Sequence, residues 1–434
     1  MAHIEGDTKL PICALLETCF FATAHLRSAI KEIGPSLIHS LIDNDPTLCY
    51  YALTRSREVK SAMFLTIRST LSLLAICCIA LLLNGCEREP IHIGFVGGIS
   101  GRVADLGVGG RNGALLAVEE RNAHGGINGR QVELIIRDDE QNPETAKKVT
   151  RELVERKVEA IIGPMTSSMA QAIVPIVNKA RMVTVSPTVT TAELSGLDDY
   201  FLRVLPDTQT YAPKSSHFHF EKLGLRRAAL IYDTGNRSYT ESWMTAFRKA
   251  FEGLGGSIVA VNSFESGGNV AFSPIVRDLL QHKPDLIVLV CTAVDAALLC
   301  QQVRKLAPRV TISVSEWSST ERFIELGGAA VEGVYIAQFV DYGNTTPRYR
   351  NFLAAYRKRF GQDPGFSGIA GYDAATVVMD ALAGQREGIP LKSAILATGV
   401  YQGVQRKIVL NRFGDTKSTT YITVVKNGRF LTLE

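Results

Sequence analysis

The sequence is poor in tryptophan and in net charge, and it lacks the motifs of common enzymes. Only two of its 434 residues are tryptophan, and 47 lysines and arginines against 43 acidic residues leave a formal net charge of +4. Such a small charge without a basic run disfavours nucleic-acid binding. With 46% hydrophobic and 21% charged residues, the composition is that of a globular protein of two or three domains, not of a disordered or multi-span membrane protein.

Motifs for catalysis and metal binding are also missing. The sequence contains no GxxxxGK[ST], GxSxG, HExxH or EF-hand pattern, and no CxxC. Gly107-x-Gly109-x-x-Asn112 lacks the last glycine of a dinucleotide-binding fingerprint. The closest histidine pair, His217-x-His219, is more typical of a solvent-exposed surface than of a metal site. We therefore expect no enzyme, no metal site and no cofactor.

The N-terminal region contains one short apolar run. Leu71–Leu83 has thirteen residues, of which only Ser72 is polar. It is shorter than the ~20 residues of a membrane-spanning helix but matches the ~7–15 of a signal-peptide core. The ending Leu83-Asn84-Gly85-Cys86 resembles the lipobox of bacterial lipoproteins, although Asn84 replaces the usual small residue. The alternative interpretation of Leu71–Leu83 is a buried apolar helix.

A start at Met63 would make 63–85 a complete lipoprotein signal peptide. Residues 1–62 would then be a non-native extension from a start codon placed too far upstream. The mature chain would comprise 349 residues from Cys86 to Glu434. Lipidation of Cys86 would anchor it to a membrane facing the periplasm or cell envelope.

From residue 91 onward, short β-branched runs alternate with amphipathic helical patterns. Strand candidates are 91–96, 131–137, 158–162, 181–185, 227–232, 257–263, 285–290, 310–314 and 333–339. Asn142-Pro143-Glu144 predicts a capped helix start. Repeated βα units predict an α/β protein with parallel sheets, in two domains rather than one closed barrel. The segment 200–207 interrupts the alternation and is a candidate crossover.

Polar residues gather where several of these strands end. Segments 163–168 and 186–191 are rich in hydroxyls. Ser168-x-x-Gln171 and Thr190-x-x-Glu193 match capping boxes, so capping is the simplest interpretation of each hydroxyl. Two helix N-termini converging on one cleft would instead favour an anion, such as a ligand carboxylate.

An acidic and an aromatic residue follow the strand 310–314. Glu316 alone is typical of a solvated surface, but opposite a carboxylate-binding site it could hold a ligand ammonium. Trp317, one of two tryptophans, could wall a pocket or merely pack.

Several ordered motifs carry a family resemblance that covers 91–434. They are IGFVGGISGRVADLG, GALLAVEERNAHGGINGRQVELIIRDDEQNP, IIGPMTSS, VTVSPTVTTAEL, LIYDTGNRSY, VSEW, EGVYIAQF and GYDAATVVMDAL. In this order they resemble the branched-chain amino-acid (Leu/Ile/Val) periplasmic binding proteins, the type 1 substrate-binding proteins of ABC importers. The resemblance implies two Rossmann-like lobes with parallel sheets, joined by a three-strand hinge. One lobe would hold 91–204 plus 336–408, and the other 207–333 plus 410–434.

The resemblance also implies site residues. Ser167 and Thr190 would bind the α-carboxylate of an amino acid, with the backbone at Thr188 also facing the ligand. Tyr239 would contact the ligand from the other lobe, and Glu316 would hold its ammonium group.

Three departures from the family pattern bear on the site. Leu106 and Thr292 replace aromatic residues that line the side-chain pocket of relatives, which would enlarge or reshape it. In the founding members of the family, a disulfide joins the positions that match Gln141 and Thr166. Neither residue is a cysteine in this sequence, so the disulfide is absent. Cys291 and Cys300 are expected to be buried free thiols.

The resemblance implies a monomeric extracytoplasmic binding protein for a small amino acid or related zwitterion, with ABC permease subunits as partners. Sensing of a ligand as part of a receptor is an alternative role. Amides, urea and aromatic carboxylates are alternative ligands. A hydrolase or nucleotide-dependent enzyme is disfavoured by the missing motifs.

The processing hypothesis predicts the mass of the exported protein. We expect intact-mass analysis to show a chain that begins at a lipid-modified Cys86, because signal peptidases of lipoproteins cleave before that cysteine. Recovery of peptides from 1–62 in the exported protein would contradict it.

Overall fold

The computed structural model describes residues 88–434 except 268, together with 64 and 68–70. The predicted extension 1–62, the apolar run Leu71–Leu83 and the predicted lipidation site Cys86 lie outside the described residues. Within the described part of the chain, no helix is long and apolar enough to cross a membrane.

The first half of the described chain builds a five-stranded sheet. Its strands are β1 Ile91–Gly97, β2 Val132–Asp138, β3 Ala160–Ile162, β4 Thr184–Ser186 and β5 Phe201–Arg203. Their order is β2-β1-β3-β4-β5, and all neighbours are parallel. Three helices connect them: α1 Ala104–Ala123, α2 Pro143–Glu155 and α3 Ser167–Ala180. The central strands β1 and β3 are mostly apolar and buried, as is typical of parallel strands covered on both faces, whereas the edge strand β2 is largely half-buried.

A second, seven-stranded sheet follows. It contains β6 Arg227–Asp233, β7 Ser257–Phe264, β8 Leu286–Val290, β9 Thr311–Val314, β10 Tyr335–Gln338, β13 Tyr421–Lys426 and β14 Arg429–Thr432. The order is β14-β13-β10-β9-β8-β6-β7. The helices associated with it are α4 Thr208–His217, α5 Arg237–Gly253, α6 Phe272–Gln281, α7 Ala293–Leu306 and α8 Glu321–Gly327. Because β13 runs antiparallel to β10 and β14, this sheet is mixed, which corrects the expectation of two parallel sheets.

The chain returns to the first sheet between β10 and β13. The returning elements are α9 Pro347–Phe360, α10 Gly365–Gly384, α11 Leu391–Thr398 and the hairpin β11 Val400–Gln402 with β12 Lys407–Val409. We define lobe 1 as the first sheet with α1–α3 and the returning elements, and lobe 2 as the second sheet with α4–α8. The α/β architecture of two lobes linked by three chain passages is confirmed.

The structure moves two predicted boundaries. Residues 336–338, predicted in lobe 1, belong to β10 and pair with β9 and β13 in the second sheet. The segment 200–207, predicted as a crossover, begins with β5, which pairs with β4. In both places a short strand pairs in a sheet before the chain leaves that sheet. Strand β10 lies within the predicted strand 333–339, whereas the three residues of β5 were not predicted as a strand.

The predicted helix caps have mixed outcomes. Asn142 caps α2 as predicted, accepting from the backbone N–H groups of Glu144 and Thr145 at 2.9 and 3.1 Å. The capping boxes predicted at Ser168 and Thr190 do not form. Helix α3 has Thr166 at its N-cap with no side-chain hydrogen bond, and Thr191, not Thr190, caps the turn Ala192–Leu194.

The segment Gly107-x-Gly109-x-x-Asn112, which does not match the dinucleotide-binding fingerprint, lies in α1, and its glycines allow close helix packing. Helix α1 lies so close to α10 that a Cβ on Gly109 would meet the Ser367 hydroxyl at 2.2 Å. A Cβ on Gly371 of α10 would lie 2.1 Å from the carbonyl oxygen of Gly110. Backbone-to-backbone contact therefore fixes the returning helix on lobe 1.

This contact predicts a difference between two alanine substitutions in one helix. Gly371→Ala should lower the free energy of unfolding by about 1–3 kcal/mol, since the added methyl forces α1 and α10 apart. Gly384→Ala in the same helix should be neutral or slightly stabilising, because its Cβ would meet nothing within 4 Å. Urea unfolding of both variants checks this, and equal stabilities would refute the packing argument.

Candidate functional site

Strand ends from both sheets enclose a cavity between the lobes. Lobe 1 contributes Leu106, Met165, Thr166, Ser167, Thr188 and Phe366, and lobe 2 contributes Asn236, Tyr239, Glu316 and Trp317. The cavity is small: the centre of a water molecule could occupy only about 10 Å³ of it. It therefore has room for about one water. Six of the eight predicted ligand-binding residues line this cavity, while Thr190 and Thr292 do not.

The hydroxyl residues of lobe 1 lie at the start of α3 and in the loop after β4. Ser167 is the first residue of α3, and its Oγ accepts the backbone N–H of Thr191 at 3.3 Å. Thr188 donates to the carbonyl of Met165. These bonds tie the two loops together, so the hydroxyls of Ser167 and Thr188 serve tertiary contacts and not the capping of a local helix.

The N-terminus of α3 makes this side of the cavity suitable for an anion. The helix has 14 residues. The N–H groups of its first turn have no partner within the helix, and together with the helix dipole they favour negative charge. One of them, the N–H of Ser168, donates to Oδ1 of Asn236 from lobe 2 at 3.0 Å. Asn236 therefore bridges the two lobes at the N-terminus of α3.

Glu316 lies on the lobe 2 side, in the turn Glu316–Ser318 after β9, and is 3% exposed. Tyr239 donates to its Oε2 at 2.8 Å, and Tyr211 donates to its Oε1. Burial raises the pKa of Glu316 to about 7, and the hydrogen bonds from Tyr211 and Tyr239 oppose this rise only in part. No lysine, arginine or histidine is among the residues that line the cavity. A buried carboxylate without a cationic partner in its cavity is chemically suited to a ligand ammonium.

Tyr211 is the main site residue that the sequence analysis missed. It lies in α4, just past the first passage between lobes, and is fully buried. Its hydroxyl shares a 3.0 Å hydrogen bond with Thr190. Thr190 is thus linked to Glu316 through a phenol, and no pattern in the sequence around Tyr211 signals this role.

Thr292 has a structural role in this arrangement. It caps α7, accepting the N–H of Asp295 at 3.2 Å and donating to its Oδ2 at 2.9 Å. A Thr three residues before an acidic residue is a capping pattern, so this signal was present in the sequence.

Apolar and aromatic side chains form the remaining walls. Trp317 packs edge-to-face on Tyr239 with ring centroids 5.7 Å apart, and Met165 and Phe366 face them from lobe 1. Leu106 lines the cavity together with Trp317 and Phe366, whereas Thr292 does not line it. Phe366 is a second residue that sequence analysis missed.

Two other expectations concern cysteine positions. Gln141 and Thr166, which match the relatives' disulfide, are neighbours here: the Thr166 hydroxyl donates to Oε1 of Gln141 at 3.0 Å. Cys291 and Cys300 are buried free thiols, as predicted. Burial raises the pKa of Cys300 to about 12, so it is an inert thiol of the core.

Direct contacts hold the lobes against each other. Arg102 of lobe 1 forms an ion pair with Asp295 of lobe 2, whose side chain is 0% exposed. The Thr320 hydroxyl donates to Oδ2 of Asp105 at 2.6 Å. These contacts join the two lobes directly, so the described arrangement is a closed one.

A model of the family described as periplasmic binding protein matches residues 90–429. The chain belongs to the periplasmic binding protein family. It is 28% identical to the Leu/Ile/Val-binding protein BraC3 of Rhizobium johnstonii over 256 residues, covering 58% of this chain and 69% of that protein. The family resemblance inferred from the motifs is therefore confirmed.

Solved structures support the same placement. A branched-chain amino acid transporter substrate binding protein LivJ from Streptococcus pneumoniae, in complex with isoleucine, superimposes with a TM-score of 0.73 at 26% identity, covering 79% of this chain and 99% of that one. An ABC transporter substrate-binding protein from Sphaerobacter thermophilus gives 0.69 at 26% identity, covering 80% and 96%. The type 1 periplasmic binding protein fold is confirmed, and this periplasmic binding protein belongs with the substrate-binding proteins of ABC transporters. Membership implies an extracytoplasmic location.

The environment of Glu316 predicts a pH-dependent effect on stability. Its pKa rises from 4.5 to about 7 on folding, so the unfolded chain releases this proton at lower pH than the folded protein. Glu316 therefore reduces the free energy of unfolding as the pH rises from about 4.5 to about 7. Glu316→Gln should remove this loss and raise the melting temperature by roughly 3 °C or more at about pH 8, with little change at about pH 4.5.

The exposed Glu387→Gln is the matched control and should change neither value. Calorimetry across this pH range makes the comparison. A melting temperature of Glu316→Gln equal to or below that of the wild type at the higher pH would contradict the pKa assignment.

Proposed function

We propose that this protein captures a small apolar amino acid between its lobes and delivers it to the membrane subunits of an ABC importer, without catalysing a reaction. The observation that carries the proposal is the position of Glu316. It is a buried acid facing a cavity whose opposite side carries the N-terminus of α3 and the hydroxyls of Ser167 and Thr188.

The two ends of a zwitterion fit these two sides of the cavity. The α-carboxylate would accept hydrogen bonds from Ser167, from the backbone at Thr188 and from N–H groups of α3. Charge-assisted bonds of this kind are roughly twice as strong as neutral ones. The α-ammonium would donate to Glu316, whose burial is compensated only when a cation is present.

The apolar walls support an aliphatic side chain on the ligand. Leu106, Met165, Trp317 and Phe366 offer hydrocarbon and ring surface, with Tyr239 between them and the acid. The names of the relatives agree with this: BraC3 is a Leu/Ile/Val-binding protein, and the S. pneumoniae protein holds isoleucine.

The closed cavity has room for only about one water. An amino acid is larger than this, so its entry requires the lobes to part. The three passages between lobes would act as the hinge. Arg203, which is 1% exposed, forms an ion pair of 2.7 Å with Asp415, so the first and third passages are joined and would move together. Closure would remove water from around the ligand and strengthen its charged hydrogen bonds.

The lipid anchor and the importer partner complete the proposal. A lipidated Cys86 would keep the binding protein at the membrane surface, where the closed form would meet permease subunits. The apolar run and cysteine ending of the signal segment support the anchor, and the family of the described lobes supports the partner.

Binding measurements on Glu316→Gln test the proposed ligand class. A thermal-shift screen against amino acids, amides and carboxylates identifies the ligand, and calorimetry gives its affinity. For a micromolar amino acid, whose binding free energy is about −8 kcal/mol, we expect Glu316→Gln to weaken binding at least about 10-fold because the charged bond to the ammonium is lost.

Glu387→Gln serves as the control and should bind like the wild type. Unchanged affinity in Glu316→Gln would reject Glu316 as the ammonium partner. A screen in which only amides, urea or aromatic carboxylates bind would replace the amino acid by one of those ligands.

A further inference from the structure

The ring of Tyr211 is held at the junction of the two lobes. It follows the first passage between lobes, and it packs edge-to-face on Phe339, which follows β10 at the second passage, with centroids 4.7 Å apart. Tyr211 is fully buried, and Phe339 is 1% exposed. The buried core at the junction of the two lobes therefore sets the position of the phenol.

The hydroxyl of Tyr211 joins the carboxyl ends of strands from both sheets. Thr190 follows β4 of the first sheet, and Glu316 follows β9 of the second. Since Tyr211 uses its one proton to donate to Glu316, Thr190 must donate to Tyr211 across their 3.0 Å contact. The bonds run in one direction, from Thr190 through Tyr211 to Glu316.

We propose that Tyr211 is a positioning residue for ligand capture: its phenol holds the Glu316 carboxylate in the ionised form needed to receive a ligand ammonium. This inference rests on the proposed function, because it concerns how the same site receives an amino acid. It assigns the specificity for the charged end of the ligand to a residue that need not touch the ligand.

The surroundings of Glu316 make such a donor necessary. The groups that face it are Tyr211 from α4, Tyr239 and Trp243 from α5, and the backbone of its own turn. All of them are neutral, and no charged residue is among the causes that shift its pKa. Burial favours the protonated acid, so hydrogen-bond donors are what favour the ionised form here.

Both phenols remain donors over the physiological pH range. Burial and the neighbouring Glu316 raise the pKa values of Tyr211 and Tyr239 well above the usual value. The site therefore has one group that titrates near neutrality, Glu316, and two fixed donors that set where it titrates. Removal of either donor must move the ionisation of Glu316 to higher pH.

Tyr211 and Tyr239 differ in what else they contact. Tyr239 lines the cavity, whereas Tyr211 is not among the lining residues. Substitution of Tyr211 therefore isolates the effect on Glu316 from direct contact with a ligand, which Tyr239→Phe cannot do.

The experiment compares Tyr211→Phe with Tyr401→Phe in the full-length mature chain. Tyr401 is an equally buried tyrosine of lobe 1 whose hydroxyl donates to the carbonyl of Ile395 at 3.0 Å. The first readout is the ionisation of Glu316 without ligand, followed by NMR of carbon-13 glutamate and assigned through Glu316→Gln. The second is the pH profile of affinity for leucine and for 4-methylpentanoate, which lacks the ammonium.

We expect Tyr211→Phe to raise the pKa of Glu316 by about one unit or more, since a hydrogen bond to a charged group is lost. Leucine affinity should then fall about 5- to 10-fold at about pH 6 but less than about 2-fold at about pH 9, where Glu316 is ionised in either protein. Affinity for 4-methylpentanoate should not acquire this pH dependence, and Tyr401→Phe should match the wild type in both readouts.

The two readouts separate this inference from the proposed function. An unchanged Glu316 titration in Tyr211→Phe overturns the role of Tyr211, even if leucine binds and depends on Glu316. A shifted titration with no effect of Glu316→Gln on leucine binding supports the role of Tyr211 but rejects the amino-acid ligand. If Tyr211→Phe is unstable, Phe339→Leu loosens the ring without removing the phenol and should shift the titration in the same direction by less.

Discussion

A buried carboxylate without a charged partner is the interaction on which the site depends. Glu316 is enclosed by two phenols and an indole, and the cavity beside it is lined by no cationic side chain. Burial of an acid in such neutral surroundings opposes folding, and it is relieved by a ligand that brings its own positive charge. Under the proposed function, the energy that this burial costs in folding would favour recognition of an ammonium group.

The two lobes share the construction of the site. Lobe 1 contributes the N-terminus of α3 and the hydroxyls of Ser167 and Thr188, and lobe 2 contributes the carboxyl group of Glu316. Neither half encloses a ligand by itself, and the contacts between Arg102 and Asp295 and between Asp105 and Thr320 form only when the lobes meet. Under the proposed function, one movement would bury the polar groups of the site and complete their pairing with the ligand.

The regular elements were accessible from the sequence, and several local details were not. All nine predicted strands overlap observed ones because continuous β-branched runs are typical of buried parallel strands. The three-residue edge strand β5, the hairpin of β11 and β12 and the C-terminal strands β13 and β14 were not among the predicted strands. Ser168 and Thr190 matched capping boxes, yet the backbone N–H of Ser168 donates to Asn236 and the hydroxyl of Thr190 pairs with Tyr211. Both partners come from distant parts of the chain. Local patterns cannot anticipate such partners.

The sequence by itself determined the alternation of strands and helices, the family, and the residue types at the strand ends, because these follow from local periodicity and ordered motifs. It also placed Glu316 and Ser167 on opposite sides of one cleft by resemblance. Only the tertiary structure decided that Phe366 lines the pocket and that Tyr211 reaches Glu316. Those outcomes depend on which surfaces meet when residues more than a hundred positions apart pack together, and that information is not carried by any single segment.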